Sequence, residues 1–131
     1  MELTPTRSTG LQRPITNTKH AEFLGKLLHS RNVAHLVHLS TTSFAKHKAL
    51  NTYYDELLDL FDDLVETSFG SIGRQNIIVP EAKVEDIDNH LQSLRGYIEG
   101  ARNIFIGSHL QNIIDEIVAL IDHTIYLLTL S

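Results

Sequence analysis

The sequence predicts an all-α protein, a four-helix bundle behind an extended N-terminal arm, with residues 1–17 as the arm and 18–131 as the bundle domain. Three observations predict it. Apolar residues recur three, four and seven positions apart in four separate stretches, the period of helices buried along one face. Glycine, proline and hydroxyl residues punctuate the chain between those stretches. The apolar run with an extended character is limited to NIIV at 76–79, too little for a sheet. A length of 131 residues suits one domain with a real core and is short for two.

Each element has its own signal. Pro5, Gly10 and Pro14 lie among Ser, Thr and Asn in the arm, which has no periodic core face and is expected to be pinned on a neighbouring subunit. A first helix is expected over 18–39, with Asn17 or Thr18 as its cap and Ala21, Leu24, Leu27, Leu28, His35 or Leu36, and Leu39 on its inner face. STTS at 40–43 then breaks the path. A second helix over 42–69 carries Leu50, Tyr54, Leu57, Leu58, Phe61, Leu64 and Val65 as one stripe and stops at Gly70. Residues 70–82 form a loop that, at ~3.3 Å per residue, can cross the length of a bundle. A third helix over 82–101 turns Val84, Ile87, Leu91, Leu94, Tyr97 and Ile98 inward. The fourth, over 108–130, is apolar nearly all round, which suits the bundle centre or a subunit interface.

Composition excludes several classes. Eleven basic against 16 acidic residues give a net charge of −5, the wrong sign for a general nucleic-acid binder or for an anionic membrane surface. The chain has no cysteine, so disulfide frameworks, cysteine–zinc sites and cysteine nucleophiles are out. MELTPTRSTG has no apolar leader run, and a cytoplasmic location is expected. IVALIDHTIYLLTL is interrupted by Asp122 and His123 and too short to span a bilayer.

The chemistry concentrates in HLVHLSTTSFAKHKALNTYYDELLDLFDDLVE at 35–66. On a wheel with Phe44 at zero and ~100° per residue, Asp62, Asp55 and Glu66 fall at about 0°, 20° and 40°. His47 falls on the core face, and Glu56, Asp59 and Asp63 read as solvated. Asp62 and Glu66 stand one turn apart on one edge, where two carboxylates repel by a few tenths of a kcal/mol unless a cation sits between them. Oxygen and imidazole donors together suit iron, manganese or zinc. His90, His109 and His123 have no acids at ligand spacing and are expected to be satisfied or solvent-facing. Tyr53 and Tyr54 read as core or interface aromatics, and Arg95 and Arg102 as surface partners of Glu99 and Asp88.

The order His35, eleven residues, His47, three residues, Asn51, ten residues, Asp62, three residues, Glu66 resembles the ferroxidase pattern of the Dps-like mini-ferritins, over about residues 30–75. The resemblance implies a ferritin-like bundle that is at least a homodimer. It implies a non-haem metal site, iron by the family's habit, shared between His35 and His47 of one subunit and Asp62 and Glu66 of another, with ferroxidase activity. His38, Asn51 and Asp55 are further candidates, His38 as an alternative to His35. The same stretch also resembles small uncharacterised proteins of tailed bacteriophages, which implies a viral source and a place in the host cytoplasm or the virion. Two functions are therefore expected to compete: the inter-subunit metal protein, and a non-enzymatic viral structural or interaction protein with a viral or host protein partner.

Overall fold

A computed structural model describes residues 18–131; the expected arm at 1–17 lies outside the described residues. The described residues form four α-helices and a single 3₁₀ turn, with no strand among them. Helix α1 spans Lys19–Ser40 and is capped by Thr18, whose hydroxyl accepts from the Ala21 amide at 3.0 Å. A three-residue turn leads to α2, Phe44–Ile72, where the Ser43 hydroxyl accepts from the Lys46 amide at 3.2 Å. These are the side-chain caps that the STTS run supplies.

Helix α2 is longer than its pattern suggested. Gly70 lies inside it, and the helix closes at Gly73, which takes the left-handed side of backbone space at φ 88°. Helix α3, Ile87–Ala101, starts five residues later than expected because Asp86 caps it, its carboxylate accepting from the Asn89 amide at 3.3 Å. Val84 consequently lies in the connection and is exposed rather than inward. A 3₁₀ turn at Arg102–Ile104 and Gly107 lead into α4, Ser108–Leu128.

Helix α1 packs against α2 and α3, and α4 packs against the same two. The connection at 73–86 therefore crosses the diagonal of the bundle, the one-crossover connectivity of ferritin-like folds. The crossover lies close against α1. A Cβ at Gly25 would run into the Ile78 carbonyl, so only glycine admits the crossover backbone there. Further along, His29 Nδ1 donates to the Pro80 carbonyl at 3.0 Å.

The core runs the length of the four helices, with Leu24, Leu27, Leu57, Leu64, Leu91, Ile98, Ile114 and Ile117 among its buried members. Helix α4 buries one face, Leu110, Ile114, Ile117, Leu120, Ile121 and Leu128. Its flanks at Ile113, Val118 and Ile125 are half-buried, and Tyr126 is exposed. Arg95 pairs with Asp122, which joins α3 to α4, instead of with a neighbour on its own helix. Arg102 bonds the expected Glu99, and also Asp115 and Gln111 of α4.

The α1–α2 hairpin overhangs the other pair. Ser30 of α1 touches His90, in the first turn of α3, and α1 continues for about ten more residues, ~15 Å. The Arg95–Asp122 pair sets α4 to end near the start of α3. The last turns of α1 and the first turns of α2 thus project, and Leu36, Leu39 and Phe44 are exposed there, Phe44 at 73%.

Candidate functional site

The projecting hairpin gathers the three histidines of the 35–66 stretch. The His38 and His47 rings stack at 3.7 Å between centroids. His38 Nδ1 donates to the His47 carbonyl at 2.6 Å, and His47 Nδ1 donates to the His38 carbonyl at 2.9 Å. A carbonyl can only accept, so both rings carry a proton on Nδ1, which in the neutral ring leaves Nε2 as the lone pair. The bond to the His38 carbonyl also satisfies one of the acceptors left open in the last turn of α1. His35 stacks on Tyr54 at 4.3 Å, and the Arg31 guanidinium lies 5.1 Å from that ring. Burial, then the Arg31 and His38 charges, hold the His35 pKa below its ordinary value, with Asp55 pulling the other way. The Tyr54 hydroxyl donates to Asn51 Oδ1 at 2.7 Å, and Asn51 donates onward to Asp55 at 3.4 Å.

The histidine that meets His47 is thus His38, with His35 beside it. Asn51 is engaged by Tyr54, and Asp55 by Asn51. Asp62 and Glu66 are exposed on the same helix as His47, about 22 and 28 Å further along it. The four expected ligands do not meet inside one chain, and the pairing implied for them is one between copies. Glu56, Asp59 and Asp63 are exposed, as expected of a solvated face.

A second polar constellation lies beside the crossover, and the sequence did not single it out. His90 Nε2 is 2.8 Å from Ser30 Oγ, and Ser30 Oγ is 2.8 Å from the Tyr53 hydroxyl. On the other side of the ring, His90 Nδ1 is 3.1 Å from Glu85 Oε1. The His29 ring stands 5.9 Å from that of His90. Tyr53 and Ser30 are completely buried, and burial raises the phenol pKa well above its ordinary value. Burial lowers the pKa of His90, the nearby Glu85 carboxylate opposes that, and His29 adds to it. The order Ser–His–Glu has the connectivity of a hydrolytic triad, but Ser30 Oγ is sealed in the core and shared with Tyr53, where no substrate carbonyl can reach it. A cleft of about 190 Å³ opens beside it, bordered by Lys26, His29, His90, Ser93, Leu94 and Tyr97.

His90 is satisfied, as expected, yet it has an acid partner five residues back. Helical spacing could not reveal this because Glu85 precedes the helix. His29 gave no signal, since its partners are 51 and 61 residues away in sequence. Among the described residues, His29, Glu85 and His90 are the group of His and acidic side chains close enough together to hold one ion.

Fold and side chains together define a small one-crossover helical bundle with two histidine clusters, one on a projecting hairpin and one where crossover, α1 and α3 meet. The chain belongs to a family of unknown function, DUF5856, whose sequence profile matches residues 38–128. It is similar to the uncharacterized 14.6 kDa protein in the mobD–ri intergenic region of Enterobacteria phage T4, with 29% identity over 117 residues, covering 87% of this chain and 91% of that protein. No solved structure matches. The resemblance to phage proteins is borne out. The matching family is not a ferritin family, so the mini-ferritin pattern at 30–75 does not amount to membership. No described helix is long and apolar enough to cross a membrane.

Proposed function

We propose that this chain is a non-enzymatic phage protein, working in the host cytoplasm or the virion, that acts by association of copies through the outer edge of α2. The observation that carries this reading is the layout of that edge. Phe44 and Asp62 share one angle on the helix, and Lys48 and Glu66 share another ~40° away, with Asn51 and Asp55 between the two ends. All six are exposed. An antiparallel pairing about Asp55 sets Lys48 of each copy opposite Asp62 of the other and lays Phe44 over the far end. It also relieves the repulsion between Asp62 and Glu66. Asp55 then meets its own copy at the axis, which is the weak point of the interface.

Sedimentation equilibrium on the full chain tests this. A dimer is expected. Lys48→Glu should dissociate it, Lys48→Glu with Asp62→Lys should restore it, and Asp55→Asn should tighten it. A monomer at every concentration, or a dimer indifferent to Lys48→Glu, overturns the reading.

The same pairing sets His47 level with Asp62 and Asp63 of the other copy, and His47 keeps Nε2 free for a metal. This supports a second, competing reading, an inter-subunit, iron-type site with His35 or His38 as second imidazole and ferroxidase activity. Iron analysis of protein purified without chelator decides it. Equal metal in the parent and in Asp62→Ala with Glu66→Ala removes that site and leaves the dimer standing.

A further inference from the structure

We propose that His29, Glu85 and His90 form a binding site for a zinc-type divalent ion that clips the crossover to α1 and α3. One donor atom from each of the three side chains lies within 4.8 Å of the other two. The donors are two imidazoles and a carboxylate, the set that zinc takes in three-ligand sites with a fourth position open.

The hydrogen bonds around the cluster are those that a metal site needs. His29 donates Nδ1–H to the Pro80 carbonyl, which can only accept, so its tautomer is fixed and Nε2 is left as the donor to an ion. His90 has its Nε2 on Ser30 Oγ, itself held by the Tyr53 hydroxyl, so the ring is oriented from behind and presents Nδ1 to the cluster. With Nε2–H given to Ser30, Nδ1 becomes the second donor. Two ligands on one tetrahedral ion at ~2.0–2.1 Å stand about 3.3 Å apart. The 3.1 Å between His90 Nδ1 and Glu85 Oε1 therefore fits two ligands sharing an ion as well as two atoms sharing a proton.

The cleft on the open side leaves room for water as the fourth ligand. The one cation bordering it, Lys26, is held with its ammonium 4.9 Å from the Tyr97 ring centre. His29 belongs to α1, Glu85 to the crossover and His90 to α3, so a bound ion would tie three segments that are otherwise joined by few polar contacts.

The test uses tag-free, full-length protein stripped with chelator and titrated with Zn(II) alone. Calorimetry should give one ion per chain, and Tm should rise with added zinc because only the folded chain assembles the site. Co(II) in its place should give the intense visible absorption of a tetrahedral site. Glu85→Gln and His29→Ala alter side chains outside the core, so each should keep the apo Tm and lose ~10-fold or more in zinc affinity. His123→Ala, at an exposed position of α4, should bind as the parent does. Absence of saturable binding tighter than ~100 µM overturns the site. So does unchanged affinity in both ligand variants, and so does a loss in His123→Ala as large as theirs, which would put the ion outside the cluster.

Discussion

Two histidine pairs, His38 with His47 and His29 with His90, are built in opposite ways. On the hairpin the rings stack face to face and each hands its Nδ1 proton to the other's backbone carbonyl, so the pair closes on itself. Beside the crossover the rings stand apart. One points at a backbone carbonyl of the crossover, and the other sits between a buried serine and an exposed glutamate. The first pair spends its bonds on local backbone and serves as a clasp for two adjacent helices. The second leaves donors facing one another across an opening, and is held there by groups from α1, α2 and the crossover. Contact alone does not make a histidine pair an ion site; what the second pair adds is a carboxylate within reach of both rings.

The contrast extends to packing. The body has four helices around its core, whereas the hairpin end has apolar side chains left outside. Leu57→Ala empties a completely buried site in the body and should cost about 3 kcal/mol in urea unfolding. Leu39→Ala, at a position 67% exposed, should change stability by less than about 0.5 kcal/mol. A Leu39→Ala cost that approaches the Leu57→Ala cost, and that grows with protein concentration, would mean that the hairpin end is buried between copies.

Hydrogen-bond deletions sharpen the same comparison at smaller scale. Tyr53→Phe removes a buried hydroxyl that supports Ser30 and His90, and should lower global stability by about 1 kcal/mol. His38→Ala opens a bond between neighbouring helices near their ends. Its effect should appear mainly as faster amide exchange over 44–50, with little change at α3 or α4. Faster exchange in α3 on losing His38 would show that the hairpin is coupled to the body more tightly than the contacts indicate.

What was legible in the sequence follows the range of the interactions. The four helices came from periodicity, and Thr18 and Ser43 caps from residue type, because both act within one turn. The end of α2 is not legible from composition, since a glycine ends a helix only where packing lets the chain leave, and Gly73 rather than Gly70 stands there. The start of α3 is obscured because Val84 fits a helical stripe while Asp86 owns the cap. The His35–Glu66 stretch was found because its residues share two adjacent helices. Even so, spacing named His35 where packing pairs His38 with His47. The His29–Glu85–His90 group is invisible because a crossover, with no period of its own, delivers one member and two helices far apart in sequence deliver the others.

The smallest expected effect concerns acid, and it should reach the two regions in sequence. The pKa of His35 is held below its ordinary value by burial and by Arg31 and His38, Asp55 notwithstanding. Its contribution to stability is present above pH of about 6.5 and is lost as the pH falls through its folded-state value, because there the unfolded chain binds more protons. The pKa of Asp122 is depressed by its bonds to Arg95, against a smaller opposing effect of burial. Its contribution is present above pH of about 4 and is lost below that. Amide exchange on a pH series should therefore loosen the hairpin first and the α3–α4 contact only in stronger acid. Asp122→Asn should erase the second step while leaving the first, and a hairpin that loosens together with α3 and α4 would show that the whole chain opens as one unit.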